Sequence, residues 1–340
     1  MGRGWAAIAV LLLLAACTGR DAARPCAETR TPPTLGARFY PPEGWGWGLI
    51  QLGDAPPQRY GVGAPATAMR AQVLILPDYG ESAETWFETA ADLNARGYGV
   101  WVLDGSGQGG SGRLTGPRDL GYLRSFNPDA AAVRAIIATV IRPPKDTPLF
   151  ILGEGVGAMV AVRAGERPLA AQGMILSSPA LDERPGGAMT DFEVLLGGRR
   201  RALGGHAWRR DAGDPFTWGG THDPWRGRAP RLWQAANPDL RVGDPSVAWV
   251  SAYNLSARLA RDDLKSLQAP TLVLEPAKGA RGCRDLPHCE AHVLADAGPM
   301  LELERDAVRQ AWLADIDAFI RARLAPAPAA TSAPRPSRPG

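Results

Sequence analysis

Short apolar segments alternate with amphipathic ones along most of this chain, the pattern of a parallel sheet covered by helices on both faces. Continuous apolar runs bounded by turn residues predict buried strands at Gln72–Leu76, Val100–Leu103, Leu149–Leu152, Gly173–Ser177, Thr271–Leu274 and Glu290–Leu294. Helical spacing predicts helices at about Ala83–Arg96, Pro128–Ile141, Val156–Glu166 and Glu304–Leu324. Two antiparallel strands, around Arg38–Tyr40 and Leu49–Leu52, are expected to form the first edge of the sheet.

One long stretch interrupts this alternation and predicts a lid inserted between two parts of a core. We place the core in residues 37–181 and 248–324 and the lid in residues 182–247, which are rich in Trp, Gly, Pro and Arg. The lid has two interpretations: its aromatic side chains line an acyl-binding cleft, or they form the small core that a lid needs. These aromatic residues are Trp208, Phe216, Trp218, Trp225 and Trp233.

The two ends of the chain carry signals that do not belong to the folded domain. Residues 1–16 combine Arg3 with a short apolar run, which predicts a lipoprotein signal peptide, and small residues precede Cys17, the expected lipidation site. The alternative is a plain signal peptide with an incidental cysteine. Thr18 replaces the Asp that favours inner-membrane retention, so we expect an outer-membrane anchor facing the periplasm. Residues 17–36 are predicted to be anchor and linker, and residues 325–340 a disordered tail.

The net charge and the cysteines limit which partners, disulfides and metal sites are expected. A formal net charge of +3 over 340 residues is too small to indicate a nucleic-acid partner. An exported chain retains disulfides, and the short separation of Cys283 and Cys289 predicts that they pair, which leaves Cys26 free or paired elsewhere. A zinc site with His288 and His292 matches no structural zinc spacing, so neither a metal nor a cofactor is expected.

Several motifs place the chain near a known family. They include Trp86–Tyr98, the glycine-rich loop Leu103–Arg113, Ala236–Gly243 in the lid and Ala269–Leu274 at the seventh strand. With these motifs, residues 59–324 resemble the lysophospholipase and monoacylglycerol-lipase-like branch of the serine aminopeptidase type of α/β-hydrolases. The resemblance implies an α/β-hydrolase fold, with a mostly parallel eight-stranded sheet, helices on both faces and an inserted lid.

The positions that carry chemistry in that family depart from its pattern. Gly155 stands where the elbow of the family has its nucleophilic serine. Gly279 stands within a residue or two of the position of the family's catalytic acid, and Pro299 stands at the position of its catalytic histidine. Neither a glycine nor a proline side chain can form an acyl-enzyme or transfer a proton. Asp78, in the loop after the third strand, puts a carboxylate beside the expected oxyanion hole.

These departures predict a pseudo-hydrolase that binds a lipid, an acyl group or an envelope protein partner. The residues expected to line its ligand cleft are Asp78, Tyr79, Ser106, Glu154 and Val156. Glu154 has two interpretations, a carboxylate at the cleft mouth or a cap on the following helix. The rival function is an active lipid or carboxyl-ester hydrolase with a non-standard nucleophile, for which Ser106, Ser177 and Ser178 are available near strand ends.

Overall fold

An eight-stranded sheet organises the part of the chain that the computed structural model describes, residues 27–184, 193–211 and 213–324. Its strand order is β1-β2-β4-β3-β5-β6-β7-β8. The strands are β1 (Gly46–Ile50), β2 (Gln58–Gly63), β3 (Ala71–Leu76), β4 (Tyr98–Leu103), β5 (Leu149–Glu154), β6 (Gly173–Ser177), β7 (Thr271–Pro276) and β8 (Cys289–Leu294). The pairs β1–β2 and β2–β4 are antiparallel and the other five pairs in this sheet are parallel, so the predicted mostly parallel sheet is confirmed.

Helices cover both faces of this sheet, as the sequence predicts. They are α1 (Phe87–Ala95), α2 (Asn127–Ile136), α3 (Val156–Gly165), α4 (Pro224–Ala236), α5 (Val247–Asp263) and α6 (Asp306–Leu324). One apolar core lies between the sheet and α2, α3 and α5, and a second lies between the sheet and α1 and α6. The lid helix α4 packs on the start of α1, where the Trp233 and Phe87 rings meet at 5.5 Å.

The first edge of the sheet differs from the sequence prediction. Residues Ala37–Phe39 form a 3₁₀ turn and not a strand, because Phe39 turns inward and packs in an apolar cluster with Leu35, Phe87 and Trp233. The edge is formed instead by β1 and β2. Helices α4 and α5 were not expected from the sequence, because their apolar stripes carry Pro230, Trp249 and other residues that weaken the helical signal.

Several sequence predictions concern residues outside the described part of the chain: the signal peptide, Cys17, Cys26 and the tail 325–340. Within the described part, Cys283 and Cys289 form a disulfide with their Cα atoms 5.6 Å apart. No helix in residues 27–184, 193–211 or 213–324 has both the length and the apolar character needed to cross a membrane.

Candidate functional site

The turn between β5 and α3 keeps the backbone of a nucleophile elbow. Gly155 lies at its apex with φ +50° and ψ −113°, a conformation that L side chains adopt only under strain. The flanking glycines allow close backbone approach, since a Cβ on Gly157 would lie 1.9 Å from the carbonyl oxygen of Leu76. The scaffold that presents a nucleophile is therefore intact, but the residue that it presents has no side chain.

The space above this elbow is occupied by the carboxylate of Asp78. A Cβ built on Gly155 would lie 2.3 Å from both Cγ and Oδ1 of Asp78. Asp78 Oδ1 accepts a hydrogen bond of 2.7 Å from the backbone amide of Val156. In this fold the amide of the residue after the nucleophile forms half of the oxyanion hole. The chain therefore fills its own oxyanion hole with a carboxylate.

The electrostatics of Asp78 oppose ester chemistry at this place. Burial raises the pKa of Asp78, while hydrogen bonds from the backbone of Val156 and Tyr79 and the charge of Arg184 limit the rise. In acyl transfer the same amides must stabilise a developing negative charge on the substrate oxygen. Here those donors are engaged by an acceptor, and the acceptor's own charge repels a second anion.

The remaining triad positions supply no acid and no base. Gly279, in the loop after β7, is exposed with φ +86°, and open space surrounds the point where its Cβ would stand. Pro299 is exposed at the rim of the lid. Its neighbour Gly298 approaches the lid so closely that a Cβ there would lie 2.5 Å from the carbonyl oxygen of Gly220. This loop thus serves as a contact between lid and core.

A cavity of about 650 Å³ lies between the Asp78 loop and the lid. Asp78 and Tyr79 line it, with Arg184, His206, Trp208, Arg209, Trp218, Arg231, Asp244 and Met300 among the other lining residues. Ser106, Glu154 and Val156 do not line this cavity. The Val156 side chain packs in the core and borders a separate cavity of about 30 Å³, and only its amide reaches the elbow.

The sequence comparison with known families agrees with this fold. The family described as serine aminopeptidase, S33 matches residues 67–278. The chain belongs to the serine aminopeptidase S33 family. Probable lysophospholipase L2 of Haemophilus influenzae is 24% identical over 277 residues, covering 75% of this chain and 85% of that protein. Lysophospholipase L2 of Escherichia coli K12 is 27% identical over 213 residues, covering 60% of this chain and 62% of that protein.

Solved structures of other proteins show the same fold. A monoglyceride lipase from Saccharomyces cerevisiae superimposes with a TM-score of 0.60 at 17% identity, over 82% of this chain and 96% of the lipase. A carboxyl esterase from Bacillus coagulans gives a TM-score of 0.66 at 15% identity, over 84% of this chain and 100% of the esterase. At these identities the likeness concerns the fold alone.

A cluster of buried glutamates lies close to the turn between β5 and α3. Glu154 is 2% exposed and faces the hydroxyls of Ser177 and Ser178, so it is neither at the cleft mouth nor a cap on α3. Its position follows from the register of β5, which pairs Glu154 with Ser177 inside the sheet. The carboxyls of Glu81 and Glu302 are buried close by, near enough for each group to influence the pKa of another.

Burial dominates the protonation of these glutamates. It raises the pKa of Glu81 to about 7, and it raises the pKa values of Glu154 and Glu302 well above the ordinary range. The negative charges of neighbouring carboxyls raise them further. The cluster is therefore mostly protonated at acidic pH. Across the described residues, no group of three or more His, Cys, Asp or Glu side chains has an arrangement that could hold a metal ion.

Ser177, His222 and His206 each contact a partner other than a serine–histidine pair. Ser177 is fully buried and its Oγ accepts a hydrogen bond from Trp312 Nε1 at 3.0 Å. His222 Nδ1 lies 2.9 Å from Oε1 of the buried Glu304, and neither residue lines the cavity. His206 lines the cavity, but its side chain is 72% exposed and lies beside Asp244.

Sequence reasoning missed Arg184, which lines the cavity, and the two buried rings that it covers, Trp249 and Tyr253. The Arg184 guanidinium lies over the rings of Trp249 and Tyr253. No local signal identifies them, since the arginine is at the stem of the lid and the rings are on α5. Their association is a consequence of the tertiary fold alone.

Proposed function

We propose that this protein is a non-catalytic member of the serine aminopeptidase family that works by binding a ligand in the cavity under its lid. The observation that carries the proposal is the hydrogen bond from the Val156 amide to the Asp78 carboxylate, in the space above Gly155. A lost nucleophile alone leaves an oxyanion hole available. Here the hole is closed by a negative charge, so the residual means of catalysis is removed as well.

The expected size of these losses supports a binding function. Removing the triad of a serine hydrolase costs about a millionfold in turnover. Loss of one oxyanion donor costs on the order of 3 kcal/mol more in transition-state stabilisation. Both losses apply to this site, which leaves no acceleration of biological use for ester hydrolysis.

The lining of the cavity supports a small polar ligand better than the lipid or acyl group that the family resemblance suggests. Three arginines and two aspartates line it, Arg184, Arg209, Arg231, Asp78 and Asp244. An acyl chain in contact with them would desolvate charged groups without giving them partners. A protein partner across the lid remains the alternative occupant.

The sequence ahead of the folded domain supports a place in the bacterial cell envelope. We propose that Cys17 carries the lipid anchor, with the domain facing the periplasm from the outer membrane. Fractionation of a Cys17→Ala variant tests this, since it should leave the membrane fraction, and a variant that stays there would refute the anchor.

Reaction with an activity probe tests the proposed lack of catalysis. We expect no serine of the purified protein to react with a fluorophosphonate, and no turnover of monoacylglycerols, lysophospholipids or short-chain esters. Lysophospholipase L2 of Escherichia coli, measured alongside, is the positive control. Stoichiometric labelling of any serine would revive the hydrolase function.

A further inference from the structure

Arg184, which lines the cavity, covers a pair of buried aromatic rings that do not line it themselves. The rings of Trp249 and Tyr253, on α5, stack in parallel with centroids 5.4 Å apart and planes 4° apart. The Arg184 guanidinium carbon lies 5.2 Å from the centroid of Trp249 and 5.1 Å from that of Tyr253. Both distances are within the range of cation–π attraction.

The backbone around Arg184 is held in place by α5. The Arg184 amide donates to Oδ1 of Asn254 at 2.8 Å, and Nδ2 of Asn254 donates to the Arg184 carbonyl at 3.0 Å. The hydroxyl of Tyr253 donates to the carbonyl of Asp182 at 2.8 Å. The arginine is therefore directed at the rings by a fixed stem.

A carboxylate completes this arrangement. Asp78 and Arg184 line the same cavity, and the Arg184 charge acts on the carboxyl of Asp78. The Tyr79 ring, next to Asp78, meets the Trp249 ring at 4.5 Å. Two aromatic faces beside one carboxylate are the groups that recognise an organic cation, by ring quadrupole and by charge.

The polarity of the site is thus the reverse of that in a hydrolase. A hydrolase presents amide donors to an oxyanion, but here the Val156 donor is engaged by Asp78, which presents a negative charge to the cavity. We propose that the place held by the Arg184 guanidinium, over these two rings and near Asp78, is a binding site for an organic cation with a guanidinium or ammonium head, and that Arg184 is the internal occupant which the ligand displaces. This inference rests on the proposed binding function.

The other charges of the cavity wall are compatible with a single cationic head. Arg209 pairs with Asp211 at 3.1 Å, and Arg231 is under the opposing charges of Asp214 and Asp244. These pairs offset the positive charge of the lid. A volume of about 650 Å³ accommodates a small molecule beyond its head group.

Binding of butylguanidinium, measured by calorimetry on the full folded domain, tests the proposal. Arg184→Ala should bind this probe about tenfold more tightly than the parent protein, because the internal competitor is gone. Arg184→Gln, which retains more of the packing, should show the same direction, and Arg184→Lys should bind like the parent. Adding Asp78→Asn to Arg184→Ala should weaken binding about tenfold. Butylurea, the neutral analogue, should bind more weakly than butylguanidinium to every variant.

Each of the following results would overturn one part of the proposed cation site. Equal affinity of the parent and both neutral variants would show that Arg184 does not compete. Equal affinity for butylurea, or an Asp78→Asn variant that binds as well, would show that the site does not select a cation. No binding to any variant would reject the site altogether. A negative result of any of these kinds leaves the fluorophosphonate result unchanged, so the two proposals fail separately.

Discussion

Two clusters of buried carboxyls in the described part of the chain differ in one respect: the first contains an arginine, and the second is surrounded by other carboxyls. Arg59 Nε donates to Asp104 at 2.7 Å, and its two terminal nitrogens donate to Glu84 at 2.8 Å. All three side chains are fully buried. Around Glu81, Glu154 and Glu302, by contrast, the charges that raise the pKa values come from other carboxyls.

This difference shows that one fold can bury carboxyl groups in two ways, ionised beside an arginine or protonated without one. The Arg59 guanidinium, which also lies 4.1 Å from the Trp47 ring, lowers the pKa of Glu84 against the effect of burial. The glutamates of the second cluster lack such a partner, so they avoid the cost of a buried charge by holding protons. One cluster is an ion pair, and the other is a set of carboxylic acids.

The largest effect is expected from removing the cation of the first cluster. Arg59→Met should lower the free energy of unfolding by about 3–5 kcal/mol, because it leaves two buried carboxylates without a counter-ion. Urea unfolding measures this loss. Arg38→Met is the matched control: Arg38 is half-exposed at 3.9 Å from Glu88, and its loss should cost under about 1 kcal/mol. Equal losses in the two variants would contradict the comparison.

The stability that the second cluster contributes should fall as pH rises, whereas the stability contributed by an ion-paired carboxylate rises with pH. The pKa of Glu81 rises from 4.5 in the unfolded chain to about 7 in the fold, so the folded state holds the extra proton. Its stabilising contribution is complete below pH 4.5 and is lost as pH rises to about 7, a loss of about 3 kcal/mol.

Unfolding free energies measured across this pH range test the assignment. Glu81→Gln imitates the protonated acid, so it should flatten the profile and be the more stable protein at neutral pH. Glu43→Gln, at an exposed carboxyl, should leave the slope unchanged. A parent protein whose stability rises with pH through this window would show that the cluster is ionised in the fold.

The smallest effect is expected at the elbow itself, where Asp78 is half-buried. Gly155→Ser should destabilise the fold by about 2 kcal/mol, because residue 155 has a positive φ and its Cβ would contact Asp78. It should also fail to hydrolyse a chromogenic ester, since a single member of a triad adds almost nothing. Gly155→Ala is the control and should lose the same stability. A clear gain of esterase activity in the serine variant would reveal a base that we do not see.

The sequence by itself determined the class of fold and which residues occupy the family's triad positions. Apolar runs separated by helical segments require a parallel sheet with both faces covered, whatever the details of packing. Gly155 and Pro299 rule out a serine nucleophile and a histidine base at those positions in any conformation, because the necessary groups are absent from the side chains. The pairing of Cys283 with Cys289 also followed from their short separation.

Tertiary structure decided everything that depends on residues far apart in the chain. The strand β2 contains Arg59, a residue that is buried only because Glu84 and Asp104 arrive from other loops, so no local pattern predicts it. The register of β5 buried Glu154 and kept it out of the cleft. The Asp78 carboxylate reaches the Val156 amide across 78 positions of sequence. Local propensity carries no information about such encounters, because the free energy that fixes them arises from packing and charge in the folded chain.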